Sequence, residues 1–188
     1  MRVQALAIRQ AMFLPLGAML ALIACGFAVP GYQSVSQHLS EMGLIAGWPR
    51  HAEQMAAAIC GLSILLFSLS LLGQGRRFVL TGVTSALLGV CMLSNGVFTT
   101  GSPLHGMYGV GIFSVLTPLL FQVELGPHAS RRIGWVARIT SLLGMLYLWA
   151  MVTGLDPAAY RGLTQRLALL PAFAWYAFAV LELRRTGR

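Results

Sequence analysis

Six apolar runs, each about as long as a bilayer is thick, restrict what this chain can fold into. They cover roughly residues 10–29, 53–73, 78–98, 104–124, 133–152 and 163–182. About 20 residues at a rise of about 1.5 Å cross a hydrocarbon core of about 30 Å. Inside that core every backbone N–H and C=O must be paired within the segment, which makes the helix the spanning element. The sequence therefore predicts an all-α polytopic membrane protein, a bundle of six transmembrane helices forming a single domain over residues 1–188. The connections are too short for a separate soluble domain. Only 10% of the residues are charged, against about 25% in a soluble domain.

The formal charge of +8 raises the question of nucleic acid, and the positions of the basic residues answer it. All thirteen are arginines. Arg2, Arg9, Arg76, Arg77, Arg131, Arg132, Arg138, Arg184, Arg185 and Arg188 fall on one side of the predicted membrane, and Arg50, Arg161 and Arg166 on the other. The excess marks the cytoplasmic side, so both termini are expected there, and the charge reads as topology and anionic-lipid contact, with no nucleic-acid partner. Loops 30–52, 99–103 and 153–162 are then outer, and 74–77 and 125–132 inner.

Cys25, Cys60 and Cys91 lie within spans, and no disulfide is expected. "LIAC" at 22–25 resembles a lipoprotein cleavage box, but five further spans already anchor the chain, and an ordinary first span accounts for it. "GSPLH" offers Ser102 as N-cap and Pro103 as first helical residue of the fourth span; "LDPAAY" offers Asp156 and Pro157 for the sixth. Small residues Gly82, Ser85, Ala86 and Gly89 predict close helix contact along the third span, as do Gly106, Gly109 and Gly111 along the fourth. Pro118 and Pro171 are expected to bend their spans. No internal repeat is visible.

The first outer loop opens with "PGYQSVSQHLSEMG", residues 30–43. Read as a helix over Ser34 to Met42, it puts Val35, Leu39 and Met42 on one face and Ser34, Gln37, His38 and Glu41 on the other. Ser34 with Gln37 fits a capping box, and Gly43 fits a left-handed terminator. A short amphipathic helix over the outer mouth of the bundle is the expectation.

His38 and Glu41, three apart, are close enough for the carboxylate to orient the imidazole or for both to bind one metal. His105 opens "HGMYGVG" at the start of the fourth span, with Tyr108 one turn below. The candidate catalytic and metal set is therefore His38, Glu41 and His105, supported by Ser40 and Tyr108. Histidines and a carboxylate would suit zinc with an open position for an activated water. No HExxH or Cys/His cluster accompanies them, and each residue has a plain structural role open to it: a solvated helix face for His38 and Glu41, a first turn for His105. Haem ligation would need histidines deep within facing spans, where none occurs. Ser34, Ser36 or Ser40 with His38 as base would make a nucleophile, although such local pairs more often serve as caps. Glu53 suits a helix N-terminus, Asp156 an N-cap, and Glu124 a pairing with an inner arginine or a place in a proton path.

The loop motif and "GSPLHGMYGVG" together resemble the DUF998 family of bacterial and archaeal six-span membrane proteins. The matching positions are Pro30, Tyr32, Ser40, Glu41 and Gly43 after the first span, and His105 with Gly106 before the fourth. The family's acidic "FPxD" segment reads "FTTGSP" here. The resemblance implies a six-helix protein of the bacterial inner membrane, and it picks out the same two polar stretches.

Three functional readings follow. In the first, an outward-facing polar site between the 34–42 segment and the fourth span binds, or acts on, a lipid or other amphiphile. In the second, the bundle is a non-catalytic subunit docking on a larger membrane complex. The third, a small transporter, is disfavoured by the missing repeat and the scarcity of intramembrane charge.

Overall fold

The computed structural model describes residues 2–187, with the side chains of Arg2 and Tyr108 outside the description. Six helical segments are long and apolar enough to cross a membrane: Val3–Gly26, Trp48–Leu72, Arg76–Val97, Gly109–His128, Arg131–Thr153 and Arg161–Arg185. They are referred to below as the first to sixth spans. The second, third and sixth are the most buried and form the centre; the fourth and fifth are the least.

Glycines set the closest contact. A Cβ on Gly61 would lie 2.7 Å from the Gly89 carbonyl oxygen, and one on Gly96 would lie 2.9 Å from that of Gln54. The second and third spans thus meet backbone to backbone, as the small residues predict. Glutamines hold the first span: Gln4 donates to the Ser70 carbonyl at 2.8 Å and Gln10 to that of Ser63 at 2.9 Å. That span is interrupted at residues 11–13 and restarts at Leu14 with Pro15 in its first turn.

The end of the bundle nearer the termini is filled by rings. Phe67 meets Tyr176 edge-on at 5.3 Å and Phe121 meets Trp175 at 5.5 Å, with Phe78 stacked on Phe121 at 5.6 Å. At this end Glu124 pairs with no arginine among the described residues. Its carboxylate accepts from the Leu80 and Thr81 N–H groups at 2.7 and 3.0 Å and from the Thr81 hydroxyl, serving the open N-terminus of the third span. Glu182 does the same for the fifth, accepting from the Ser130 N–H at 2.7 Å and its hydroxyl at 2.9 Å.

The opposite end carries the long loop, and several boundaries there differ from the sequence reading. The fourth span begins with helix at Tyr108–Gly111, not at 104, so Ser102 and Pro103 lie in turns before it. Its helix then tightens to a 3-10 stretch, Ile112–Leu116, and becomes regular again at Thr117–Leu125 with Pro118 in its first turn. The sixth span starts at Arg161, five residues after Asp156, which is therefore not its cap. The short helix of the first loop is present, but it is a 3-10 helix over Leu39–Leu44. Its capping contact uses Glu41, whose carboxylate accepts from the His38 N–H at 2.9 Å; Ser34 and Gln37 do not form the expected box. Leu39 and Met42 are buried, as the amphipathic pattern predicts, while Val35 is exposed. Gly43 is not a left-handed terminator: it lies within the 3-10 helix, which ends on Ile45 in extended backbone.

Candidate functional site

The loop is held down by the sixth span, and the reason is backbone hydrogen bonding that a free helix would have satisfied internally. The Leu163 N–H donates to the Val35 carbonyl at 2.9 Å. The Leu39 N–H donates to the Gln165 side-chain oxygen at 2.8 Å. Arg166, only 8% exposed, donates to the Gln37 carbonyl at 3.1 Å, the Gly162 carbonyl at 2.7 Å and the Tyr32 hydroxyl at 2.7 Å. Arg161 donates to the Ser36 carbonyl at 2.9 Å and stands 3.6 Å from Glu41. Burial pushes the Tyr32 hydroxyl above its ordinary pKa, against the opposing pull of Arg166.

Beneath this loop, between it and the aromatic floor, lies a cavity of about 170 Å³ lined by residues of all six spans. Most of its wall is apolar. Met19 and Leu22 come from the first span, Ala57 from the second, Leu88 and Met92 from the third, Leu148 from the fifth, and Phe173 and Trp175 from the sixth. Polar groups enter beneath the loop from Ser40, Glu53, Asn95, His105 and Gln165, and Ser114, Thr117, Thr140, Tyr147 and Tyr176 add hydroxyl-bearing side chains to the lining.

The two polar stretches singled out in the sequence do meet here. Ser40 and His105 both line the cavity, and Thr100 joins them by donating to the Ser40 carbonyl at 3.1 Å. His105 is 7% exposed, and its Nδ1 lies 2.7 Å from the Phe98 carbonyl oxygen. A carbonyl can only accept, so the proton sits on Nδ1 and Nε2 is left as an acceptor. The turn that places this imidazole is strained. Gly106 has φ 74° and Met107, which is not glycine, has φ 41°. Such a conformation costs on the order of 1–3 kcal/mol and persists only where its surroundings impose it.

His38 and Glu41 do not line the cavity. His38 Nε2 faces Asp156 at 3.7 Å, and its ring meets Tyr147 edge-on at 6.5 Å. Burial pushes the imidazole below its ordinary pKa, with Glu41 and Asp156 pulling the other way. Asp156 also accepts from the Thr164 hydroxyl at 2.6 Å. The His38 ring thus faces Asp156, the Glu41 carboxylate Arg161 and the His38 N–H, and the His105 ring the Phe98 carbonyl. Among the described residues no group of three His, Cys, Asp or Glu is placed to hold a metal ion. Tyr108 opens the first turn of the fourth span, but its side chain is outside the described residues.

The residue that sequence reasoning missed is Glu53. Five residues into the second span, it is 4% exposed and lines the cavity. Gly43 makes room for it: a Cβ there would lie 3.1 Å from Glu53 Oε2. Of the chain's five carboxylates, Glu41, Glu124, Asp156 and Glu182 all accept hydrogen bonds. Glu53 has no such partner among the described residues. The useful signal was its depth, since a helix-dipole role would be served within the first turn and Glu53 lies beyond it.

These features define a class: a six-span α-helical membrane protein with a mostly apolar internal cavity, roofed by a loop and carrying a few buried polar groups at the roof. The chain belongs to the DUF998 family, whose model, described as a protein of unknown function, matches residues 14–182. No curated protein and no solved structure matches the chain.

Proposed function

We propose that the protein binds the apolar part of an amphiphile in this cavity, with the amphiphile's polar end under the 30–44 loop. The observation that carries the reading is the cavity itself, apolar along its walls and polar beneath the loop through Glu53, Asn95 and His105. At about 170 Å³ it is comparable with a dry cavity of about 150 Å³ that takes up benzene. That size fits one chain or ring and not a whole two-chain lipid. The protein is read as resident in the bacterial inner membrane with both termini in the cytoplasm, on the strength of its arginine distribution. The loop and the cavity's polar end then face outward.

Native mass spectrometry of the protein released from its own membranes tests the binding. A retained small amphiphile is expected in the wild type and is expected to be lost in Ala57→Phe, which fills the wall from a residue only 2% exposed. An unoccupied wild type that takes up no added single-chain amphiphile would sink the reading. The accessory-subunit alternative is supported by the large exposed apolar side chains of the fourth and fifth spans, among them Phe113, Trp135, Leu142 and Trp149. A stoichiometric co-purifying membrane subunit, lost when Trp135 and Trp149 become alanine, would favour it.

A further inference from the structure

Among the described residues Glu53 is a buried carboxylate without a counter-charge, although three guanidinium groups lie at the same end of the bundle. Each is engaged elsewhere: Arg50 donates to the Gly43 carbonyl at 2.9 Å, Arg161 faces Glu41 at 3.6 Å, and Arg166 is committed to Tyr32, Gln37 and Gly162. An isolated ionised carboxylate in an apolar enclosure is strongly unfavourable: it takes up a proton unless something cationic or hydrogen-bonding completes it. Two further acceptors share its cavity. Asn95 Oδ1 is buried with no hydrogen-bond partner, and Asn95 is held at the level of Glu53 by the Gly96 contact with the neighbouring Gln54 carbonyl. His105 Nε2 is the acceptor nitrogen of its ring; its neighbour Thr100 Oγ1, at 3.4 Å, directs its proton to the Ser40 carbonyl. Three acceptors thus line the polar end of the cavity, and none receives a good donor.

From this geometry we infer that the cavity selects amphiphiles whose polar end is a protonated primary amine, with Glu53 as its counter-charge and Asn95 and His105 as its other acceptors. An ammonium group offers three donors and no acceptor, which complements the three orphaned acceptors. An alcohol brings one donor and no charge. A quaternary ammonium brings charge and no donor. The inference rests on the amphiphile-binding reading above and names the class of ligand for that site.

The test uses the full chain in nanodiscs of zwitterionic lipid, with octylamine, octanol and octyltrimethylammonium as probes at pH 7. Binding is read by native mass spectrometry and by the saturable rise in thermal stability. The expected result is octylamine binding at least tenfold tighter than octanol, with octyltrimethylammonium no better than the alcohol. Glu53→Gln, nearly isosteric, is expected to erase the preference for octylamine over octanol, and an undiminished preference in that variant would overturn the inference. Should Glu53→Gln fail to fold, the three-probe comparison on wild type still decides, and Asn95→Ala is expected to narrow the preference. Equal binding of all three probes to the wild type would overturn the amine inference and leave the amphiphile reading standing. Preference for the quaternary probe would overturn it too. Binding of none would overturn both.

Discussion

Arg166 Nη2 donates to the Tyr32 hydroxyl across 2.7 Å, joining the last span to the start of the first long loop. That hydroxyl in turn lies 3.1 Å from the His38 carbonyl oxygen, to which it donates. Tyr32→Phe removes one acceptor and one donor at a stroke and leaves a guanidinium N–H group buried and unpaired. It is expected to cost about 1–3 kcal/mol. The loss should appear as a lower unfolding temperature in detergent and as faster proteolysis within residues 30–45. Arg166→Lys is expected to do comparable damage, since an ammonium cannot reproduce the planar fork that reaches three acceptors. An unchanged cleavage rate in both variants would show that the loop is held by other contacts.

Gly162 lets the loop approach the sixth span. A Cβ there would lie 2.3 Å from the Gln37 carbonyl oxygen and 2.6 Å from that of Ser34. Both obstacles are backbone and cannot rotate away. Gly162→Ala is expected to lift the loop, break the Leu163 to Val35 hydrogen bond and destabilise by about 1–3 kcal/mol, as overpacking does. Gly17→Ala, with nothing within 4 Å of its added methyl, is the matched control and should be neutral. Hydrogen exchange at the Leu163 amide reports the difference directly.

His38 makes the loop's stability depend on pH, and the sign follows from burial. Its pKa in the folded protein lies below the ordinary 6.5, so on acidification the unfolded chain takes up the proton first. Stability from the neutral imidazole is then fully present above about pH 6.5 and falls as the pH drops toward the depressed folded value. The difference in thermal stability between wild type and His38→Gln should be flat from about pH 8 to 7 and shift against the wild type below about 6.5. Asp156→Asn is expected to depress the His38 midpoint further, because the carboxylate 3.7 Å away favours the charged ring. A carbon-13 titration of the labelled imidazole with a midpoint above 6.5 would mean that the pair with Asp156 outweighs burial.

Glu124 closes the N-terminus of the third span from a neighbouring helix. Glu124→Ala deprives the Leu80 and Thr81 N–H groups of their acceptor and is expected to cost about 0.5–2 kcal/mol, the range for losing a cap. Glu124→Gln keeps one acceptor oxygen and should lose about half as much. Arg76→Gln and Arg77→Gln test the arginine pairing that the sequence suggested. Their unfolding temperatures should match the wild type, because the Glu124 carboxylate is occupied by the backbone.

The spans were legible because the bilayer imposes a length and an apolarity that any window of the sequence shows. The tight contact of the second and third spans was legible for a related reason: Gly82, Ser85, Ala86 and Gly89 stand out against long apolar neighbours. The loop was harder. Ser34 with Gln37 satisfies the capping pattern while His38 with Glu41 lacks its serine or threonine, yet the second forms, in a loop tied down by Leu163, Gln165 and Arg166, well over a hundred residues away. The histidines attracted attention as chemically versatile residues, yet His38 is absorbed by the loop's own support. Glu53 and Asn95 looked ordinary because their significance lies in what fails to contact them, and one sequence carries no record of a missing partner.

The tie between the first loop and the last span also fixes an order of events during synthesis. Residues 30–45 leave the ribosome long before Arg161, Gln165 and Arg166, so their carbonyls and amides must wait, solvated, for partners about 125 to 134 positions later. The cavity has no closed wall until the sixth span brings in Gln165, Ala168, Phe173 and Trp175. A chain stopped after five spans would thread the membrane and still present an open, unfinished chamber.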